Sequence, residues 1–124
     1  MVLVGTQLKV SDNSGAMKVN CIKILGSSKC NHSNIGDKLV VSVRHAKYDK
    51  KVKLHDVCNA ILIRQRSRTY RKNGSYIFFK ENSVVLVKKN STNDPIGNRI
   101  KGGVTLELRY KKCMKIILMA KSMI

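Results

Sequence analysis

Carboxylates are scarce in this chain: 7 Asp and Glu stand against 25 Lys and Arg in 124 residues, for a formal charge of +18. So few acids exclude a protein whose cations are all neutralised internally, and the surplus calls for an anionic partner or many counter-ions. A lipid surface is one such polyanion, but long apolar runs are missing too. ILI, SVVLV and IILMA fall far short of the ~20 apolar residues that a spanning helix needs, and no membrane partner is expected. The opening MVLVGTQLKV has neither the basic and apolar regions of a secretory signal nor the Arg- and Ser-rich pattern of a transit peptide. The expectation is a protein that works where it is made, or one whose leader has been removed.

No C-x-x-C pair occurs among the cysteines at 21, 30, 58 and 113. Cys21 and Cys58 lie inside apolar runs, where a reduced thiol behaves as a small hydrophobe, so a reducing compartment is expected. Cys30-Asn31-His32 is the one step that hints at metal. It has no second ligand pair nearby, so neither metal nor cofactor is expected.

Catalytic signatures are absent as well. His32, His45 and His55 have no carboxylate or nucleophile at a telling spacing. Ser14 in DNSGA lacks the preceding glycine of a nucleophile elbow. Gly102-Gly103 lacks the spacing of a phosphate-binding loop. Asp12 and Asn13 read instead as turn residues, with Gly15 permitting a left-handed step. The chain is not expected to be an enzyme.

What is present is 43% hydrophobic residues, enough for a modest core and too many for a disordered basic tail. The dominant period is two. Thr6, Leu8 and Val10 alternate with Gln7, Lys9 and Ser11; Leu39, Val41 and Val43 alternate with Val40, Ser42 and Arg44. VNCIKIL, VCNAILI and VVLV read as strands buried on both faces. Turn signals at Asp12–Gly15, Gly26–Ser28, Ile35–Asp37, Asn73-Gly74 and Asp94–Gly97 separate them. Many short strands at close spacing predict a mainly β protein built on a small barrel, whose closure removes exposed edges. Near the end, Val104, Leu108, Cys113, Ile117 and Ala120 fall at three- and four-residue spacing and predict one or two short helices. No repeat or proline-rich linker divides residues 1–124, so a single domain is expected.

Two basic clusters stand out. Arg64, Arg66 and Arg68 alternate, so an extended segment would place them in one row ~6.8 Å apart; Arg71 and Lys72 follow. Asn73-Gly74 then predicts a type I′ hairpin turn, with positive φ at both central residues. The returning SYIFF sets Ile77 and Phe79 on one face and Tyr76 and Phe78 on the other. Guanidinium groups offer forked hydrogen bonds to phosphate. No acid lies between Asp56 and Glu81 to neutralise them, which favours a nucleic-acid contact over a solvated face. The second cluster is Arg44, His45, Lys47, Lys50, Lys51 and Lys53, with Asp49 as its one acid. It reads equally as a phosphate-wrapping loop or a flexible soluble one. A free single-strand binder stacking bases on Tyr70, Tyr76, Phe78 and Phe79 is the alternative function, weakened by 5% aromatics.

An ordered set of segments carries a family resemblance: Asp12–Ala16, Cys21-Ile22-Lys23 running to Leu25-Gly26, and Ile35–Asp37. Gly74-Ser75 with Ile77, Phe79 and Asn82 come next, followed by Pro95-Ile96-Gly97 with Arg99-Ile100 and Gly102. Glu107-Leu108-Arg109 and Met114–Ile117 complete the set. Over essentially its whole length the sequence resembles the bacterial and organellar form of large-subunit ribosomal protein L-fourteen. The resemblance implies a five-stranded β-barrel with a projecting β-ribbon and small C-terminal helices. It implies binding to large-subunit ribosomal RNA and a bridge to small-subunit ribosomal RNA, beside ribosomal proteins L-three and L-nineteen. It further implies a docking surface for the ribosome silencing factor, to which Asn98, Arg99 and Lys115 correspond.

The sequence departs from the family pattern at several positions. Asn98 replaces the usual threonine and Lys101 the usual phenylalanine. Gly103 stands for a proline, Leu106 for an arginine, and Lys121-Ser122 for a proline-glutamate pair. Lysine outnumbers arginine 18 to 7. With these departures, that bias suggests a mitochondrial ribosome in the matrix, the alternative being the cytoplasm of an AT-rich bacterium.

Overall fold

The computed structural model describes residues 1–26, 31–91 and 93–124. Four strands come first: β1 (Val2–Leu3), β2 (Gln7–Val10), β3 (Ala16–Ile24) and β4 (His32–Ser33). Two long strands follow, β5 (Lys38–Ala46) and β6 (Val57–Arg64), then the small hairpin β7 (Thr69–Tyr70) and β8 (Tyr76–Ile77). The chain continues through β9 (Ser83–Val87), β10 (Ile100–Val104), α1 (Glu107–Tyr110), α2 (Met114–Met119) and β11 (Ala120–Met123).

Strands β2, β3, β5, β6 and β9 close into a barrel in that order. Every pairing is antiparallel except the closing one, where β9 runs parallel to β2 with Val10 opposite Val84. The expected five-stranded β-barrel with two short helices is therefore present. Closure leaves no barrel strand with an unpaired edge.

The period of two sorts the side chains as anticipated on β2 and β5: Leu8 and Val10, and Leu39, Val41 and Val43, point into the barrel and are buried. There they meet Val19, Cys21, Leu62, Val84 and Leu86 in one apolar cluster. A second cluster lies outside the barrel wall, where Ile61 and Ile63 of β6 and Val85 and Val87 of β9 pack under Val104, Leu108, Cys113 and Ile116. From Ala60 onward β6, and all of β9, are thus covered on both faces, which accounts for the apolar runs ILI and VVLV.

The same expectation fails for β3. Val19, Cys21 and Ile24 are buried, but Ile22 is 47% exposed and Lys18 and Lys23 face solvent. A bulge between Cys21 and Lys23 breaks the alternation, and no element covers that outer face strongly enough to bury it. The C-terminal spacing was only half helical. Val104 belongs to β10, Ile116 rather than Ile117 fills the core, and Ala120 opens a strand, β11, that runs parallel to β10. Side chains three and four apart also coincide where short helices alternate with strand, so spacing alone did not separate the two.

Asp12 ties the barrel end together. Its buried carboxylate accepts the Ser14 backbone N–H at 2.9 Å and the Leu86 N–H at 2.9 Å, an Asx turn that is also tied to β9. Ser14 Oγ donates to the same carboxylate. Gly15 follows at φ +110, where a Cβ would strike the Lys50 side chain.

Candidate nucleic-acid interface

The four arginines from the end of β6 to the hairpin turn divide into two kinds. Arg64 closes β6 and turns inward, 7% exposed. Its Nε donates to the Gly103 carbonyl at 2.7 Å, its Nη2 to the Lys101 carbonyl, and its Nη1 to Ser11 Oγ at 3.3 Å. Glu81 lies 3.6 Å away. Burial pushes this guanidinium below its ordinary value, and Glu81 opposes that shift. Arg71 is half-buried and forked onto Glu107, with Nε donating to Oε1 at 2.7 Å and Nη2 to Oε2 at 3.2 Å. Nη2 also reaches the Ile124 carbonyl at 2.9 Å.

Arg66 and Arg68 remain exposed, with no carboxylate within 4.0 Å among the described residues. The expected row of three is therefore corrected. Residues 65–68 leave the extended conformation between β6 and β7, so Arg64 does not share a face with its neighbours. It serves as an internal clasp.

The hairpin turn is corrected too. Arg71 N–H donates to the Ser75 carbonyl, and Gly74 N–H to the Arg71 carbonyl at 3.1 Å. Gly74 has φ +82, while Asn73 keeps an ordinary φ. This is a three-residue loop, a type I turn closed by a left-handed glycine, and not the two-residue I′ turn. Asn73 contributes its side chain, accepting from Ser75 N–H at 3.1 Å. Lys72 sits exposed at the tip.

The two hairpin faces separate as anticipated. Ile77 and Phe79 are half-buried, and the Phe79 N–H donates to the Gln65 carbonyl at 3.0 Å. Tyr70, Tyr76 and Phe78 are exposed. Tyr76 and Phe78 lie near-parallel, centroids 6.3 Å apart at 23°, with Tyr70 tilted 6.0 Å from Tyr76. Arg68 stands over the Tyr76 ring at 5.0 Å, a cation–π contact that orients the guanidinium.

The lysine loop between β5 and β6 is held down rather than free. Val52 is buried in the barrel cluster, Lys47 N–H donates to the Gly15 carbonyl, and His55 N–H donates to the Val43 carbonyl. Asp56 Oδ2 accepts the Lys53 N–H at 2.9 Å. Arg44, Lys47, Lys50, Lys51 and Lys53 are all exposed, and none has an acidic partner among the described residues.

Asn98 and Arg99 lie exposed on a turn whose backbone is held from below. Asn13 Oδ1 accepts both N–H groups, at 2.8 and 3.2 Å. A Cβ at Gly97 would sit 2.6 Å from that same oxygen. Lys115 on α2 forms an ion pair with Asp94, at the start of the segment leading to Asn98, and this pairing holds the Asp94 carboxyl below its usual range.

The suggestion of metal at Cys30-Asn31-His32 cannot be followed, because Cys30 lies outside the described residues. No group of three potential metal ligands occurs among those described. Burial raises the thiols of Cys21, Cys58 and Cys113 above their ordinary value, so they remain protonated packing groups.

Linear reading missed Lys18, Lys80 and Lys101, which the fold sets beside the two clusters. It also missed the partners of Arg64 and Arg71. Glu107 lies 36 residues from Arg71, and no local signal announces such a pair. The model of the family described as ribosomal protein L14p/L23e matches residues 1–124, and the chain belongs to this family of structural proteins of the large ribosomal subunit.

Proposed function

We propose that the chain acts as one domain, residues 1–124, that binds large-subunit ribosomal RNA without catalysis. The observation that carries this reading is the unpaired outer face of the hairpin, where Arg66 and Arg68 project beside the exposed rings of Tyr70, Tyr76 and Phe78. Guanidinium groups suit phosphate and exposed aromatic rings suit unstacked bases, the two surfaces that folded RNA presents. Lys72 at the tip, Arg44 near the end of β5, and Lys47, Lys50, Lys51 and Lys53 on the pinned loop add phosphate contacts that position without reading sequence. Arg64 and Arg71 act from inside, by fixing the hairpin on the body.

The same reading extends to contact with small-subunit ribosomal RNA at an intersubunit bridge and to neighbours of the L-three and L-nineteen families. Asn98, Arg99 and Lys115 form the face offered to a silencing factor, supported by a turn that Asn13 rigidifies. The ribosome concerned is mitochondrial in this proposal, on the lysine-rich composition. A salt-washed ribosome gradient tests the core of it. The protein should sediment with the large subunit, and recovery only in free fractions would refute the reading.

A further inference from the structure

The pairing register places like charges against each other at one corner of the barrel. Lys9 of β2 lies directly opposite Lys18 of β3, and the neighbour of Lys18 on its other side is His45 of β5, not an acid. Neighbouring strands are ~4.8 Å apart, and like charges at that separation destabilise a sheet. Lys9 is relieved by Glu81 at 2.9 Å. Lys18 has no acidic partner among the described residues.

The backbone is also modified at this corner. The ladder between β3 and β5 shifts register on both sides of the Lys18–His45 pair. One shift places Met17 as an extra residue on β3, and the other places Arg44 as an extra residue on β5. Strict alternation would send one member of each consecutive couple into the barrel, yet Met17 and Lys18 are both exposed, as are Arg44 and His45. Bulges re-aim side chains in this way where a surface needs them.

Two hollows meet at this corner and share Lys9 and Met17. One reaches Arg66 and Lys80 at the foot of the hairpin. The other reaches Lys47, Lys50 and Lys101 on the far side. Their two carboxylates are both engaged, Glu81 by Lys9 and Asp12 by Ser14 and Leu86. Gly15 lets the lysine loop close onto the second hollow, since any Cβ there would displace Lys50.

We propose that this bulged corner is a further RNA-backbone site. In it Lys18, Lys80 and Lys101 carry one sugar–phosphate chain across β2 and β3, from the hairpin arginines to the lysine loop. It rests on the RNA-binding reading above and adds the path between its two separate surfaces. A local stability cost retained with no internal compensation is what a binding site leaves in a fold. Ammonium groups in an open hollow suit phosphate as point charges and do not read sequence.

The test uses the full chain and two probes, a 20-nucleotide oligouridylate and a fully paired RNA duplex, titrated across salt concentration. The triple variant Lys18→Ala, Lys80→Ala, Lys101→Ala should lower the log–log salt slope on the single strand by about two units. It should also weaken binding at 0.1 M salt by roughly a hundredfold, on ~0.7 counter-ions released per contact. A control of equal charge change on other exposed lysines, Lys23→Ala, Lys89→Ala, Lys121→Ala, should move both far less. Equal effects from the two triples would overturn the site while leaving RNA binding in place. Failure of the unaltered chain to bind either RNA would sink the underlying reading as well. Lys18→Glu supplies an independent check, because it should raise the melting temperature while reducing RNA affinity. A rise in melting temperature with unchanged affinity would also overturn the site.

Discussion

Arg64 and Arg66 are two residues apart and identical in chemistry, yet one is an internal fastener and the other faces outward. Arg64 ends a barrel strand and finds the Lys101 and Gly103 carbonyls, Ser11 and Glu81 around it. Arg66 lies where the chain has left the sheet, and its backbone N–H is capped by Asn82 Oδ1 at 2.8 Å while its side chain faces solvent. Further along, Arg71 repeats the inward role and Arg68 the outward one. The number of arginines in a segment therefore overstates its binding charge. What matters is how many lack a partner after folding.

The largest effect should come from breaking the inner clasp. Arg64→Ala would leave the carbonyls of Lys101 and Gly103 short of a donor, with Glu81 still held by Lys9. It should cost about 3 kcal/mol, roughly a 10 °C fall in melting temperature, read by calorimetry. Arg64→Lys should recover only part, since one ammonium cannot span the fork. A loss below ~0.5 kcal/mol for Arg64→Ala would remove the distinction between the two kinds of arginine.

Arg71→Ala should cost about 1–2 kcal/mol, because a half-buried forked pair is worth more than a surface pair and less than a fully buried one. Acid should expose the same contacts. Burial, the largest single influence, would raise the Glu107 carboxyl. The hydrogen bond and charge of Arg71, joined by the Glu107 backbone N–H and Thr105, together outweigh it and hold the group below its ordinary value. The hydrogen bond from Lys9 lowers Glu81 likewise. A carboxyl depressed in the folded state contributes stability that is present above its unfolded value, ~4.3, and is lost as pH falls below it. Stability should therefore drop from about pH 4.3 downward, and less steeply in the Arg71→Ala protein. Parallel acid curves for the two proteins would show that Glu107 is not held by Arg71.

Gly74→Ala should cost about 1 kcal/mol. There is room for the methyl group, but the backbone stands at φ +82, so the penalty is conformational and should spare the barrel. Hydrogen exchange should rise at Arg71 and Ser75 and remain unchanged in β5 and β6.

The smallest stability change belongs to the outward pair. Arg66→Ala with Arg68→Ala should shift stability by less than ~0.5 kcal/mol, mostly through the lost contact of Arg68 with Tyr76. The RNA salt slope should fall by about 1.4 units on a single strand. An unchanged slope would show that these two side chains meet water or protein in the assembly.

The strands were legible where one periodicity governed one face. Leu8 and Val10, and Leu39, Val41 and Val43, alternate in sequence and point inward in the barrel. The continuous runs of β6 and β9 announced burial on both sides, and the second apolar cluster supplies the cover. VNCIKIL carried the same signal, but Ile22 and Lys23 face solvent because no element packs over that wall. Burial on the second face depends on a distant segment, which a local pattern does not report. The hairpin was legible from Asn73-Gly74, but its loop length was not. Whether a glycine closes a two- or three-residue loop is settled by which backbone groups meet across it, here Arg71 and Ser75.

The candidate site was legible as charge and not as geometry. A surplus of 25 Lys and Arg over 7 Asp and Glu cannot be hidden by any fold, and so the need for an anionic partner follows from composition alone. Barrel class also follows from the chain, because the strand period and the turn residues are properties of neighbouring residues. Only the tertiary structure decided which cations are free, which are clasped and which are driven together at the bulged corner. A side chain's partner lies across the barrel or at the other end of the chain. Closure and register choose that partner, and they depend on every strand at once.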